Sequence, residues 1–164
     1  MLNLSRLENS ELEKESISVE HLINVSYERV QPKAELKKQK IIIDNKSKKD
    51  IRVNQQFMSD ALVTILDNAV KYSPEKSEIK IKAKSTSSQV TIEIKDNGMG
   101  IKSSELQHIF DRFYRADQSR TKNNEHGFGI GLSIAKSAIE AHGGTITAKS
   151  TLGKGSTFTI NIPV

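Results

Sequence analysis

Apolar residues recur along this chain with two different periods. From Asn54 to Tyr72 the pairs Phe57-Met58, Ala61-Leu62, Ile65-Leu66 and Ala69-Val70 come every four residues, the step that buries one face of a long helix. Ser73-Pro74 ends it, because a residue before proline is pushed out of the helical region. Val19, Leu22, Ile23, Val25, Tyr27 and Val30 predict an earlier helix, capped by Ser18 and kinked or interrupted at Pro32. Ile130, Ile134, Ala135, Ala138 and Ile139 predict a third, which stops at His142-Gly143-Gly144. Elsewhere the period is two. Ile79, Ile81 and Ala83 alternate within 78–85, and Val90, Ile92 and Ile94 within 89–95, so each is a half-buried strand, with Thr86-Ser87-Ser88 turning between them. Lys40 to Asp44 and Ile51 to Val53 read as shorter strands. A closing hairpin spans 145–149 and 156–162 around Gly153-Lys154-Gly155. Residues 1–15 carry Leu2, Leu4, Leu7 and Leu12 among polar residues and predict the tail of an amphipathic helix. This order predicts an α/β two-layer sandwich with a mixed sheet and its helices on one face.

Composition narrows the options. A length of 164 residues with 35% hydrophobic content suits one domain with a modest core and a short appendage. There is no cysteine, which excludes disulfides and thiolate metal sites. No apolar run approaches the roughly 20 residues of a membrane-spanning helix. The net charge of +5 is concentrated between Lys33 and Lys49, which reads as a solvated face. With no Trp, three Tyr and five Phe, the chain lacks the aromatic interleaving that single-stranded nucleic acid needs, so no nucleic-acid partner is expected.

Candidate chemistry lies where the two periods meet. Asp96-Asn97-Gly98-Met99-Gly100-Ile101 ends the second long strand, and places a carboxylate where burial demands a specific donor. Asp96 can accept an exocyclic amine, Gly98 and Gly100 let backbone and water approach a ring, and Ile101 gives apolar cover. On the long helix Asp60, Thr64, Asn68, Lys71 and Tyr72 share a face adjoining the buried one. Asn68 is a neutral oxygen ligand suited to Mg²⁺, which binds largely through phosphate oxygens and water. Lys71 and Arg115, with Arg120 or Lys122, can neutralise phosphate. Gly127, Gly129 and Gly131 at a helix start free backbone N–H groups to cradle phosphates. Between the glycine clusters, 102–124 contains an aperiodic polar run, the mark of a functional loop.

These pieces resemble the catalytic, ATP-binding domain of sensor histidine kinases, within the superfamily shared with DNA gyrase, the MutL repair protein and a heat-shock chaperone. LDNAVKYS resembles the family's asparagine box, DNGMGI, GFGIGL and GKGSTF its three glycine boxes, and FDRFYR its phenylalanine box, in family order over about 17–164. The resemblance implies a Bergerat-type ATP fold over 16–164, preceded at 1–15 by the end of a dimerisation hairpin. It implies that Asp96 reads adenine, Asn68 holds Mg²⁺, Lys71 lies near the phosphates and Tyr72 lines the nucleotide. Gly98, Gly100, Ile101, Gly127, Gly129, Ile130, Gly131, Leu132 and Thr157 complete the implied binding set, and Asn68, Lys71 and Arg115 the catalytic one. Met99 to His126 would be an ATP lid anchored by Phe110 and Phe113.

In that family the γ-phosphoryl of ATP moves to a histidine of a separate dimerisation domain and then to a response regulator receiver domain. None of His21, His108, His126 or His142 suits the acceptor, and His142 reads as a dipole-compatible cap at a helix end. The chain is therefore expected to bind ATP without phosphorylating itself. Where the hydrolysing relatives have a catalytic Glu, one turn before Asn68, this chain has Thr64, which cannot serve as a base for water. An anti-sigma-type protein-serine kinase or a degenerate nucleotide sensor is the alternative. A monomeric isolated domain, a homodimeric full-length kinase and a site on the cytoplasmic side of a membrane-anchored protein are further implications.

Overall fold

The computed structural model describes residues 13–114 and 129–164. In chain order the elements are β1 (Glu15–Ser18), α1 (Val19–Leu36), β2 (Lys40–Asn45), β3 (Asp50–Val53), α2 (Gln55–Tyr72), β4 (Glu78–Ser85), β5 (Gln89–Lys95), a short α3 (Ser103–Leu106), α4 (Gly131–Ala141), β6 (Thr145–Thr151) and β7 (Gly155–Pro163). Local chemistry sets the starts of the two long helices. Ser18 Oγ accepts the His21 N–H, and Asn54 Oδ1 accepts the Phe57 N–H, each satisfying one of the orphan donors of a first turn.

The main sheet has the order β2-β4-β5-β7-β6, with β2 parallel to β4 and every other pair antiparallel. Its register places isoleucines opposite one another: Ile41 with Ile79, Ile81 with Ile94, and Ile92 and Ile146 with Ile160. That shared face receives the helices, and Leu22, Ile23, Met58, Leu62, Ile65, Leu66 and Ile139 pack with it in one core. The central helix is α2, packed against both α1 and α4. The sheet's other face carries exposed lysines at 80, 82, 84 and 95. The two-layer arrangement with helices on one face is thus as the periodicity predicts.

Two local expectations change. The first helix continues through Pro32 to Leu36. Pro32 and Glu28, whose carbonyl loses its usual donor, are both exposed, so water can satisfy that oxygen. Glu15–Ser18 is a strand, which pairs antiparallel with β3 and sets Ile17 opposite Ile51 in a small second sheet. Of the expected N-terminal helix, residues 1–12 lie outside the described residues.

Candidate functional site

Asp96 sits just past the carboxyl end of β5 and is only 5% exposed. Its Oδ1 accepts two backbone N–H groups, from Gly98 at 2.8 Å and from Ser156 at 3.1 Å, and Oδ2 takes neither. Burial raises its pKa above the ordinary 3.8, and the two N–H donors oppose that rise by favouring the carboxylate. One carboxylate oxygen is therefore fixed by the protein, and the other takes no part in these two bonds.

The glycines around Asp96 are explained by close packing. A Cβ on Gly98 would lie 2.6 Å from the Tyr72 carbonyl oxygen, and one on Gly155 would lie 2.2 Å from that of Asp96. Gly100 has φ +68°, and its Cβ would meet the Thr151 oxygen at 2.1 Å. The loop is wedged between the end of α2 and the β6–β7 turn, tied by Met99 N–H to Tyr72 O (3.2 Å) and Gly153 N–H to Met99 O (2.7 Å). Ile101, half-buried against the core, donates its N–H to Ser150 Oγ at 2.8 Å.

On α2, Asn68 is half-buried and its side chain forms no hydrogen bond with another described residue. Thr64 donates its hydroxyl to the Asp60 carbonyl at 2.9 Å, so its proton is occupied by the helix backbone. Asp60 turns elsewhere: Arg29 of α1 holds it at 2.6 Å and Gln56 donates to it at 3.0 Å. Of the five polar residues on that face, Asp60 is thus engaged within the protein. The Lys71 ammonium lies 5.5 Å from the Tyr72 ring centroid, and Tyr72 is 46% exposed.

The second glycine cluster meets the same helix. A Cβ on Gly131 would lie 3.1 Å from Thr64 Cγ2, which brings the start of α4 beside α2. That start has no side-chain cap hydrogen bond, and Ile130 and Leu132 flank it half-buried. Gly129 accepts the Phe113 N–H at 3.0 Å, so the two described ends of the long loop are joined. Arg115, Arg120, Lys122, His126 and Gly127 lie outside the described residues.

The sequence model of the histidine kinase-, DNA gyrase B- and HSP90-like ATPases matches residues 53–164. The chain belongs to this ATPase family. Its relatives include the signal transduction histidine-protein kinase ArlS of Staphylococcus epidermidis, 41% identical over 114 residues, which cover 70% of this chain and 25% of that protein. The sensor protein SrrB of Staphylococcus aureus is 45% identical over 106 residues, 65% of this chain and 18% of that protein. The chain thus spans a quarter or less of the length of these kinases. Among solved structures, full-length ShkA in complex with AMPPNP aligns with a TM-score of 0.83 at 25% identity, over 97% of this chain and 33% of that one. The nucleotide-free catalytic domain of histidine kinase ThkA aligns with a TM-score of 0.80 at 22% identity, over 93% and 96%. The fold is that of histidine kinase catalytic domains.

Within this ATPase domain several expectations are refined. The third glycine box meets Asp96 through Ser156. Thr157, the expected contact, pairs with Lys95 and Lys149 and turns toward the sheet's lysine-bearing face. Ser156 is buried, as is Phe158 two positions on, and Ser150 Oγ bonds both the Gly155 carbonyl and the Ser156 hydroxyl at 2.9 Å. Phe110, an expected lid anchor, packs edge-on against Phe158 with centroids 6.3 Å apart. Phe113, the other expected anchor, is 74% exposed with φ 65°. His142 is buried, its Nδ1 donating to the Ala138 carbonyl at 2.6 Å and its Nε2 accepting the Asn54 N–H at 2.9 Å. That pattern requires neutral imidazole, and burial lowers its pKa below 6.5, so it is no cationic cap.

Proposed function

We propose that this domain binds Mg²⁺–ATP and donates the γ-phosphoryl group to a histidine on a separate dimerisation domain of the same kinase. From there the group passes to an aspartate of a response regulator receiver domain. The observation that carries the reading is Asp96, a buried carboxylate with one oxygen saturated by Gly98 and Ser156 and the other available to an adenine amine. The roles of the remaining residues follow from placement: Lys71 for phosphate charge, Tyr72 and Ile101 for the nucleotide's flanks, and the uncapped start of α4 with Gly129, Ile130, Gly131 and Leu132 for phosphate oxygens. Arg115 is assigned to the terminal phosphate, and Gly127 to the backbone N–H cradle for phosphates.

Asn68 fits a Mg²⁺ ligand, being half-buried, neutral and without a described hydrogen-bond partner. Among the described residues no three carboxylates or imidazoles converge, which suits an ion held mainly by phosphate and water. Mg²⁺ bound there would neutralise charge on the phosphate oxygens. In the transfer an imidazole nitrogen forms the bond to phosphorus as the bond to the bridging oxygen breaks and ADP leaves, so the protein acts by positioning and charge. Thr64 is an alcohol, too weak a base to take a proton from water, which favours kinase over hydrolase. We place the domain on the cytoplasmic side of a homodimeric, membrane-anchored kinase and take the isolated domain as a monomer. No helix among the described residues is long and apolar enough to cross a membrane.

Calorimetric titration with ADP and a non-hydrolysable ATP analogue, with and without Mg²⁺, tests the reading. Saturable binding is expected, and a folded chain that binds neither nucleotide would overturn it.

A further inference from the structure

Two side chains from the α1–β2 loop cap the carboxyl end of α2, and neither belongs to a sequence box. Lys37 Nζ donates to the carbonyls of Val70 at 2.7 Å, Lys71 at 3.0 Å and Ser73 at 2.7 Å. Gln39 Nε2 donates to Val70 at 3.1 Å, Ser73 at 3.1 Å and Pro74 at 3.0 Å. A helix leaves its last carbonyls without intrahelical donors and gathers partial negative charge there. Here no glycine closes the end, and Pro74 has no N–H to return. A cation and an amide from a distant loop take that place. Backbone bonds hold the two loops together, Lys76 N–H to Lys37 O and Lys40 N–H to Ser77 O, both 3.0 Å. Lys38, between the two capping residues, is held at φ 53°, a left-handed conformation that costs energy in any residue with a Cβ.

The capped turn leads directly to the site. It carries Lys71, with Asn68 one turn earlier. The next carbonyl, of Tyr72, accepts the Met99 N–H and leaves no room for a Cβ on Gly98, whose own N–H holds Asp96. A continuous series of contacts thus runs from Lys37 through the last turn of α2 and Gly98-Met99 to the carboxylate.

We propose that Lys37 and Gln39 are positioning residues for nucleotide binding. By fixing the last turn of α2 they place Lys71 and, through the Tyr72 carbonyl, the Asp96 loop. This inference rests on the nucleotide-binding reading above. The exposed Lys33, paired with Asp67 at 2.8 Å, lies in the same basic stretch without reaching that turn and is the control for lost charge.

The test measures Mg²⁺–ADP affinity by calorimetry for the wild-type chain and for Lys37→Met, Lys37→Arg, Gln39→Leu and Lys33→Met. Each is titrated at a temperature where circular dichroism finds it fully folded, and amide exchange at Met99 is read in the same samples. Lys37→Met is expected to bind about tenfold more weakly with faster Met99 exchange, Lys37→Arg to recover to within about threefold, and Lys33→Met to match wild type. A folded Lys37→Met with wild-type affinity overturns the inference. If Lys37→Met does not fold, Gln39→Leu decides: a loss of about threefold supports the inference, and unchanged affinity overturns it. A wild-type chain that does not bind Mg²⁺–ADP defeats the nucleotide reading and this inference with it, a different result from wild-type binding that the variants leave untouched.

Discussion

Asp96→Asn separates the fold from the proposed recognition of adenine. The amide oxygen can replace Oδ1 and keep the Gly98 and Ser156 N–H bonds, while the amide nitrogen puts a donor where the ligand needs an acceptor. A mismatched buried polar pair costs about 2–3 kcal/mol, so nucleotide affinity should fall roughly a hundredfold. Circular dichroism should be unchanged and calorimetry should show the loss; retained affinity would remove Asp96 from the site. Gly100→Ala should act in the opposite way, on the fold. It forces a Cβ into φ +68° and toward the Thr151 carbonyl, and urea unfolding should show a loss of about 2 kcal/mol or more. The place of Asp96 was legible from sequence, because the alternation of β5 ends at it and two glycines break the chain just beyond. Ser156 was not, because its contribution is a backbone N–H, which every residue but proline possesses. Thr157, one position away, has the more suggestive side chain and the wrong face.

The elements themselves were largely legible. The four-residue step of α2 and the alternation of β4, β5 and β7 each report burial on one face, and the helices and strands occur where those periods place them. What the periods could not report is pairing between distant segments. The β1–β3 ribbon joins two stretches too short to show a period, and the donors that cap α2 come from a loop read as solvated. His142 is the same case, since it joins the end of α4 to the start of α2. Its neutral form is required by the Asn54 N–H, and Lys14, bonded to the adjacent Ala141 carbonyl at 3.2 Å, further disfavours a proton. Because its folded pKa lies below 6.5, the unfolded chain takes up a proton first as pH falls. Stability should therefore be full above about pH 6.5 and decline below it, by up to about 1.4 kcal/mol per pH unit until the folded pKa is reached. Urea midpoints between pH 7.5 and 5.5 check this. His142→Gln, compared with wild type, cancels the contribution of Asp96 and should flatten the decline; an equal slope in both would place the pH dependence elsewhere.

For the molecule as a whole, the packing of α2 between α1 and α4 puts the proposed metal ligand, the loop proposed to read adenine, and Gly131 of the second glycine box around one helix. This division of labour makes metal and base separable. Asn68→Ala removes a half-buried amide with no described hydrogen-bond partner, so the fold should hold and adenosine affinity should stay within about twofold of wild type. The gain in ADP affinity on adding Mg²⁺ should largely disappear, because an ion that prefers phosphate and water depends on the few protein oxygens it has. Transfer is then read by mixing the domain with a separately prepared dimerisation domain bearing the acceptor histidine and following label from γ-labelled ATP. Wild type should label the acceptor in trans and leave its own four histidines unlabelled, and Asn68→Ala should lose at least about tenfold in rate. Label on this chain itself would contradict the division of donor and acceptor between two domains. A rate unaffected by Asn68→Ala, with nucleotide still bound, would move the metal ligand away from α2.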